Sequence, residues 1–243
     1  MKGIILAGGK ATRLRPLTKM TSKQLLPIYN KPMIYYPIET LVKAGIKDIL
    51  IIVAPDYSGH FLNLLGSGKE FGARFSYEVQ DEPRGLADAF IVGENFIGKD
   101  DVTMILGDNI FDHDFSSCIK NFKKGATIFV KEVSDPQRYG VVEFDKEMRV
   151  ISIEEKPEKP KSNYASVGLY VYDNRVVEIA KNLKPSARGE IEISGTPSIN
   201  NTFFDMGELS VEIIDGIWED AGTFDSLLRA ANVMAAKAKE EGR

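Results

Sequence analysis

Disulfides, cysteine-based metal sites and membrane anchors have no support in this sequence. Cys118 is the only cysteine among 243 residues, so no intrachain disulfide is possible, and we expect it to be a buried structural thiol. No apolar run approaches the ~18 residues that a membrane span needs, and the first apolar run follows Met1 at once. We therefore expect neither a signal peptide nor a transmembrane segment, and we expect a cytoplasmic protein.

A large charge of one sign is also missing. The net charge is −4 and the basic residues are spread along the chain, which argues against a nucleic-acid or membrane-surface partner. Any anion-binding site must therefore be local. The chain also lacks repeats, linkers and low-complexity segments, and its length is enough for one large α/β domain or two small ones. We expect one domain, covering residues 1–243.

Apolar runs alternate with helical patterns in the first half of the chain. Strands are predicted near 4–7, 49–54, 75–79 and 103–106, and helices near 33–44, 59–65 and 86–96. This alternation predicts a mostly parallel central sheet with right-handed crossovers, in a Rossmann-like three-layer α/β sandwich.

From Ala126 onward the pattern becomes rich in strands. They are predicted near 127–133, 141–144, 150–154 and 166–172, with helices near 174–182 and 224–239. The close spacing of these strands predicts a mixed or antiparallel extension of the sheet.

Glycines and cationic side chains follow the first predicted strand. Gly8 and Gly9 let the backbone turn sharply and approach a ligand, and Arg13, Arg15 and Lys23 add cationic donors. Together they indicate a polyphosphate site. Because the spacing fits neither the P-loop nor the Gly-x-Gly-x-x-Gly fingerprint, a plain glycine turn with solvated arginines is the alternative.

Gly8, Gln80 and Asp108 each come just after a predicted strand. Ligands of open α/β sheets bind beyond the carboxyl ends of the strands, so these three different groups are expected at one rim. Asp108 is the leading metal candidate, because Gly107 beside it leaves room for a ligand. Mg²⁺ prefers one or two carboxylates together with phosphate oxygens.

The loop Gly8-Gly9-Lys10-Ala11-Thr12-Arg13-Leu14, followed by Lys23-Gln24-Leu25-Leu26-Pro27, resembles the signature of the sugar-phosphate nucleotidyltransferases. Further stretches resemble the glucose-1-phosphate thymidylyltransferase branch of that family, in the same order: residues 31–37, 85–90, 106–111, 135–145, 154–157 and 160–165. The resemblance covers nearly the whole chain.

The resemblance implies that glucose 1-phosphate attacks the α-phosphorus of a nucleoside triphosphate in line, with Mg²⁺ bound and pyrophosphate leaving. dTTP is favoured as the nucleotide and dTDP-glucose as the product, while UTP and a close epimer of glucose remain open. The resemblance also implies a homo-oligomer. The nucleotide-binding half is expected at about residues 1–125, and a strand-rich, sugar-binding and metal-completing half at about 126–243.

The nucleotide site follows from the same resemblance. Arg13 and Lys23 are the predicted catalytic residues, which hold the triphosphate and its leaving group. Gln80 and Gly85 are expected to read the base, because a side-chain amide suits a pyrimidine edge. The other predicted nucleotide-binding residues are Leu6, Ala7, Gly8, Gly9, Ala11, Thr12, Gln24 and Asp108.

The sugar site is implied in the same way. Glu155 is expected on the sugar hydroxyls and Lys156 on the sugar phosphate, and an exposed ion pair is the alternative for both. Strand alternation sends Glu154 to the face opposite Glu155. The rest of the pocket is predicted to comprise Asn109, Tyr139, Gly140 and Val167.

Asp220 is expected to complete the metal site, because Trp218-Glu219-Asp220-Ala221-Gly222-Thr223 resembles the family's Trp-Leu-Asp-Thr-Gly-Thr motif. A helix cap formed by Asp220 or Thr223 is the alternative. Asp112-His113-Asp114 also carries metal-binding residue types, but neighbours on a loop cannot all face one ion, so a solvated loop that starts a helix is favoured. Its Asp-x-Asp spacing keeps a sugar-nucleotide-dependent glycosyltransferase open as another enzyme class.

Three features depart from the family. Ala11 replaces the second loop glycine, which predicts a backbone conformation that tolerates a Cβ, and Ser194-Gly195 replaces Thr-Asp. The chain ends at Arg243, so we expect a short form without the C-terminal helical segment and inhibition by dTDP-sugars only at the active site. A regulatory pocket completed by a neighbouring subunit or by the predicted helix at 224–239 is the alternative. A non-catalytic binding subunit is the third class, although the retained charged residues argue against it.

Overall fold

The computed structural model describes residues 1–240 and Gly242. The strands are β1 (Lys2–Ala7), β2 (Pro27–Ile28), β3 (Lys31–Pro32), β4 (Asp48–Val53), β5 (Arg74–Val79), β6 (Val102–Leu106), β7 (Asn109–Phe111), β8 (Ala126–Glu132), β9 (Gly140–Phe144), β10 (Val150–Glu155), β11 (Tyr164–Tyr172), β12 (Leu209–Ile213) and β13 (Trp218–Asp220). The α-helices are α1 (Tyr35–Lys43), α2 (Ser58–Leu65), α3 (Asp88–Val92), α4 (Glu94–Ile97), α5 (Ser116–Asn121), α6 (Val176–Asn182), α7 (Ile199–Asp205) and α8 (Phe224–Glu240).

Short apolar strands form the parallel part of the central sheet. β1 lies between β4 and β6, and Ile5 is opposite Ile51 on one side and Ile105 on the other. β5 pairs with β4 at the edge. β1, β4 and β6 are buried along most of their length, as expected of parallel strands that are covered on both faces.

The antiparallel part of the sheet is organised around β11. This strand pairs antiparallel with β6, β8 and β9, and β10 continues the sheet beyond β9. β12 adds to β8 in parallel, which completes a nine-stranded sheet. The predicted mixed extension is therefore present, and one sheet runs through both predicted halves of the chain.

Helices pack on both faces of the sheet, which gives three layers. On one face Phe90 and Phe203 from α3 and α7 pack around the Tyr172 ring of β11, at centroid distances of 5.3 and 5.7 Å. On the other face, Ile38 of α1 and Phe61 of α2 belong to the same buried cluster as the side chains of β1 and β4 that point to that face, among them Ile5 and Ile51. The predicted α/β fold class is confirmed.

A smaller core holds α8 beside the sheet. Ala230 of α8 packs with Ile28 of β2, Ile110 of β7 and Ala221, which follows β13. β7 and β13 pair antiparallel, with Asp220 opposite Asn109. This packing holds the end of β13 beside the end of β6.

Some elements differ from the sequence-based expectations. The helix predicted over 86–96 is interrupted at Gly93, where a Cβ would lie 3.1 Å from side-chain atoms of both Ile4 and Leu50. Glycine there thus lets α3 and α4 pack closely on the sheet. α7, β7, β12 and β13 were not predicted, since their short runs lack a clear period. Cys118 is half-buried rather than fully buried, and burial raises the pKa of its thiol to about 12.

Across the described part of the chain, no helix combines the length and the apolar character that a membrane crossing requires.

Candidate active site

A cleft of about 440 Å³ opens beyond the carboxyl ends of β1, β5 and β6. Gln80 and Asp108 line it, and Gly8 lies against Gln80, whose Oε1 is 2.8 Å from the position that a Cβ on Gly8 would occupy. The structure thus brings the three predicted rim residues together. The predicted site residues that line the cleft are Leu6, Gly9, Arg13, Lys23, Gln24, Gln80, Gly85, Asp108, Asn109, Tyr139, Gly140, Glu155, Lys156 and Asp220.

The loop after β1 has a left-handed residue at its centre. Ala11 has φ 46° and ψ 40°, and its carbonyl accepts hydrogen bonds from Leu14 N–H at 3.1 Å and the Thr18 hydroxyl at 2.8 Å. The prediction that Ala11 adopts a conformation tolerant of a Cβ is wrong, because a side chain is disfavoured in this region. The carbonyl contacts hold the turn in place and direct Arg13 into the cleft, while Arg15 is exposed outside it.

Other predicted loop residues do not line the cleft. Ala7 is buried in the core. Gly8, Ala11 and Thr12 belong to the loop beside the cleft but are not among the residues that line it.

Lys23 and Asp108 form a nearly buried ion pair within the cleft. Lys23 is held by a short helical turn, Lys23–Leu25, in which the buried Gln24 accepts a hydrogen bond from Ser22 at 2.6 Å. Burial on its own would raise the pKa of Asp108, but the Lys23 ammonium and the Asn109 amide outweigh it, so the pKa is lowered. Asp108 is therefore held as a carboxylate.

Asp220 is the second carboxylate of this region, and it is only partly satisfied. Its buried Oδ1 has no hydrogen-bond partner among residues 1–240 and Gly242. Burial, followed by the nearby charge of Asp108, raises the pKa of Asp220 to about 6. Helix α8 is capped by Thr223, whose Oγ1 accepts from Ser226 N–H at 3.3 Å, so Asp220 is free of that role.

Asp108 and Asp220 together fit a hard divalent cation. They are brought side by side by the pairing of β13 with β7, and one carboxylate oxygen lacks a partner within the described residues. Mg²⁺ uses one or two carboxylates and takes its other ligands from phosphates and water. Within residues 1–240 and Gly242 no cluster of three or more His, Cys, Asp or Glu side chains is present, so these two acids stand without further protein carboxylates.

We call the end of the cleft next to β5 the uncharged end, because Gln80, Pro83, Gly85 and Leu86, which line it, carry no charge. Gly85 has φ 107°, and a Cβ there would be 2.4 Å from the carbonyl oxygen of Ile191, so only glycine fits. This end can take a flat, neutral group.

The other end combines acids, cations and aromatic rings. Glu155 and Lys156 line it, with Lys156 Nζ 3.4 Å from Glu155 Oε1. Burial raises the pKa of Glu155, and the Lys156 charge partly offsets this. The Tyr139 and Trp218 rings pack at 5.2 Å.

Asn109 is fixed where the two parts of the sheet meet. Its Oδ1 accepts from Gly168 N–H at 3.1 Å and from Trp218 Nε1 at 2.7 Å. Gly168 leaves the room that this contact needs, because a Cβ there would lie 2.6 Å from Asn109 Oδ1.

Val167 departs from the expectation for the sugar pocket. Its side chain is fully buried in the core on the far face of the sheet, and its neighbours Ser166 and Gly168 line the cleft instead. Side chains alternate along β11, so a position one residue away faces the other layer. The same alternation separates Glu155 from Glu154, which forms an ion pair with Lys161 at 2.5 Å outside the cleft.

Asp112, His113 and Asp114 do not converge on one point. Asp112 accepts from Ile217 N–H at 2.5 Å, His113 Nδ1 accepts from Asp215 N–H at 3.2 Å, and Asp114 accepts from Ser116 N–H at 2.9 Å at the start of α5. The third of these bonds matches the predicted loop that starts a helix.

Several residues that line the cleft were not singled out from the sequence. Arg188 forms an ion pair with Glu192 at 2.9 Å. Ser194, noted in the sequence only as a departure from the family, accepts from Asn200 Nδ2 at 3.1 Å. Arg188, Glu192 and Ser194 lie in residues 186–198, which have neither helical nor strand periodicity. The available signal was the composition of this aperiodic stretch, which contains charged residues and glycines, as loops that contribute to binding sites often do.

Known proteins match this chain over nearly its full length. A family model described as nucleotidyl transferase matches residues 2–237. The chain is 55% identical over 238 residues to a glucose-1-phosphate thymidylyltransferase of Neisseria meningitidis, a match that covers 96% of this chain and 82% of that protein. It is 51% identical over 247 residues to one of Mycobacterium tuberculosis, covering 100% of this chain and 85% of that protein.

Solved structures give the same result. A crystal structure assigned to glucose-1-phosphate thymidylyltransferase from Bacillus anthracis, in complex with sucrose, matches with a TM-score of 0.90 and 46% identity, and the match covers 96% of this chain and 94% of that one. UDP-glucose pyrophosphorylase in complex with UDP-glucose matches with a TM-score of 0.82 and 26% identity over 97% of this chain and 98% of that one. The fold, the cleft and these similarities agree with the resemblance seen in the sequence: the chain belongs to the nucleotidyl transferase family.

Proposed function

We propose that the protein joins dTTP and glucose 1-phosphate to give dTDP-glucose and pyrophosphate, with Mg²⁺ as cofactor. The observation that carries this proposal is the pair of acids, Asp108 and Asp220, in a cleft with two separate groups of cations. Arg13 and Lys23 act electrostatically on Asp220, whereas Lys156 and Arg188 act on Glu155 at the other end. Two groups of cations suit two phosphorylated substrates.

The choice of substrates is supported by the relatives. Proteins 55% and 51% identical to this chain are named glucose-1-phosphate thymidylyltransferases. The more distant structural relative is a UDP-glucose pyrophosphorylase, which acts on the same kind of sugar nucleotide with a uracil base. UTP is therefore the competing nucleotide that the experiment must include.

In this reaction the protein mainly positions the two substrates and neutralises their charge. An oxygen of the sugar phosphate attacks the α-phosphorus, and the bond to pyrophosphate breaks on the opposite side. No general base is needed, because a phosphate monoester is already anionic at neutral pH. When bound by Asp108 and Asp220, Mg²⁺ supplies charge neutralisation to the triphosphate.

Each cation has a task in this scheme. Arg13 offers a planar fork of donors to the phosphates, and Lys156 with Arg188 holds the sugar phosphate near its attacking position. Lys23 is paired with Asp108 and lines the same cleft as Gly9 and Arg13, so its ammonium can stabilise the charge that grows on departing pyrophosphate.

A matrix of initial-rate measurements tests the proposal. Pyrophosphate release is followed with dTTP, UTP, dCTP or ATP, each combined with glucose, galactose or mannose 1-phosphate, and the Asp108→Asn variant controls for contaminating activity. We expect the highest kcat/KM for dTTP with glucose 1-phosphate.

Two results would count against it. Pyrophosphate release that is independent of sugar phosphate would indicate a hydrolase, and glycosyl transfer from a sugar nucleotide without pyrophosphate release would indicate a glycosyltransferase. A higher kcat/KM for UTP would retain the reaction and change the nucleotide.

A further inference from the structure

Asp88 is a fully buried carboxylate just behind the uncharged end of the cleft. It is the first residue of α3 and does not itself line the cleft. Its two oxygens have different partners, since Oδ2 accepts from Gln80 Nε2 at 2.7 Å and Oδ1 accepts from Arg84 Nη2 at 2.8 Å. The carboxylate therefore links a residue of the cleft to a half-exposed cation.

This contact decides which way the Gln80 amide faces. A carboxylate that accepts on both oxygens offers no donor, so the NH₂ group of Gln80 must point to Asp88. The amide oxygen then faces the other way, towards Gly8 and the cleft. Among the residues that the structure describes, none donates a hydrogen bond to Gln80 Oε1, which leaves it available as an acceptor for a ligand.

The backbone that carries Arg84 is held in place. Ile191 N–H donates to the Arg84 carbonyl at 2.7 Å, and Ala87 N–H donates to the Ile191 carbonyl at 3.2 Å. Gly85 lies between these two bonds, in close contact with Ile191. These bonds fix the backbone on both sides of Gly85, so Arg84 is placed within reach of Asp88, and the contact between Asp88 and Gln80 is present without a ligand.

We propose that Asp88, supported by Arg84, is a positioning residue that sets the base preference by holding Gln80 with its amide oxygen towards the ligand. Such an oxygen selects a nucleobase whose ring nitrogen carries a proton, the imide of thymine and uracil. It disfavours cytosine, whose corresponding ring nitrogen is an acceptor. The inference rests on the proposed function only in placing a nucleotide base at this end of the cleft.

The neighbouring surface agrees with that assignment. Pro83, Gly85 and Leu86 present no charge, as a flat heterocycle requires. A site built to hydrogen-bond one ring edge rejects an analogue that leaves its polar groups unpaired.

The Asp88→Asn variant makes a directional test. A guanidinium can donate hydrogen bonds but cannot accept them, so the oxygen of the introduced side-chain amide pairs with Arg84 and its NH₂ group turns to Gln80. Gln80 then reverses and presents its own NH₂ group to the ligand, which suits cytosine. Affinities for dTTP and dCTP are measured by calorimetry without sugar phosphate, and kcat and KM are measured in the complete reaction.

We expect the dTTP to dCTP affinity ratio to fall at least about tenfold, as the loss of a hydrogen bond to an oriented group predicts. KM for dTTP should rise while kcat changes little. Asp173→Asn is the matched control, because Asp173 is also buried and accepts from an arginine, Arg175, but lies outside the cleft. Its ratio should equal that of the unsubstituted protein.

An unchanged ratio in Asp88→Asn, with a loss of thermal stability similar to that of Asp173→Asn, would show a merely structural role and overturn the inference. If Asp88→Asn does not fold, Asp88→Ala takes its place: Arg84 can turn to solvent, Gln80 loses its constraint, and the ratio should fall by a smaller factor. An unchanged ratio there overturns the inference equally.

The two proposals fail separately. Preferential dTTP binding without pyrophosphate release would refute the proposed reaction and leave the role of Asp88 standing. Normal pyrophosphate release with an unaltered base preference in the Asp88 variants would support the proposed reaction and refute the role of Asp88.

Discussion

The parallel and antiparallel parts of the sheet supply residues to the cleft in different ways. In the parallel part the cleft residues follow the strand ends, as Gln80 follows β5 and Asp108 follows β6. In the antiparallel part they come from the strands themselves, as Gly168 and Tyr170 do along the middle of β11. Parallel strands end on one edge, whereas antiparallel strands present alternate side chains along a face.

The two parts also differ in how their charges are balanced. Near the parallel strands Lys23 neutralises Asp108, while Asp220 keeps an unpaired oxygen within the described residues. Near the antiparallel strands Lys156 has Glu155 close by, and Arg188 has Glu192. The parallel part of the sheet thus suits a metal cation and a highly charged ligand. The antiparallel part suits a ligand that carries both a charged group and hydroxyl groups.

The largest expected effect is at Lys23. Lys23→Ala should lower kcat by about 10²–10³, because its charge is needed most as pyrophosphate departs, and should change KM for dTTP much less. Lys19→Ala is the control, since Lys19 lies on the same segment, is exposed and does not line the cleft. Steady-state kinetics would contradict this role by showing equal losses in binding and turnover, or none.

Asp220→Asn should raise the Mg²⁺ concentration needed for half-maximal activity at least about tenfold. Substitution of a residue that only supports a metal ligand already lowers metal affinity by about that factor. Asp225→Asn is the control, because Asp225 is exposed at the start of α8. A Mg²⁺ requirement that stays the same in Asp220→Asn would place the second ligand elsewhere.

The same variant has a pH signature in thermal unfolding with EDTA present. The pKa of Asp220 is about 6 in the folded state against an ordinary value of 3.8. Because folding raises this pKa, ionisation of Asp220 lowers the free energy of unfolding. This loss grows as the pH rises from about 3.8 to about 6, and it is complete above about pH 6. Asp220→Asn should therefore be more stable than the unsubstituted protein at about pH 8, and this gain should vanish at about pH 4. A gain that does not vary with pH would contradict the assignment.

A smaller effect should distinguish the two faces of β10. Glu155→Gln should raise KM for glucose 1-phosphate by about tenfold, the value of a hydrogen bond to a charged group. Glu154→Gln should leave it unchanged, since Glu154 contacts Lys161 outside the cleft. Equal KM values in both variants would remove Glu155 from the sugar site.

The smallest effect concerns the first loop. Ala11→Gly should raise the free energy of unfolding by about 0.5–1 kcal/mol, because glycine adopts the left-handed conformation without strain. Ala236→Gly, on the exposed face of α8, should lower it by about 1 kcal/mol. Urea denaturation measures both, and changes of the same sign would show that Ala11 is not strained.

The parallel strands and the residues that follow them could be predicted because both depend on local pattern. Apolar runs of five or six residues with a glycine at the end locate β1 and β6 without knowledge of the rest. The position of Val167 could not be predicted. Which face of the sheet its side chain lies on depends on the register of β11 against β6 and β8. Arg188 was missed because its stretch carries no period.

Neighbouring residues decide the order of strands and helices, the glycine turn after β1, and the presence of carboxylates and cations at strand ends, so the sequence alone is enough to predict these features. Which groups meet depends on how the whole chain folds. Lys23 reaches Asp108 across 85 positions, and the Gln80 amide is oriented by an aspartate on the next helix. Such contacts depend on how the layers pack, because a side chain's partners are set by the elements that surround it rather than by its neighbours in the chain.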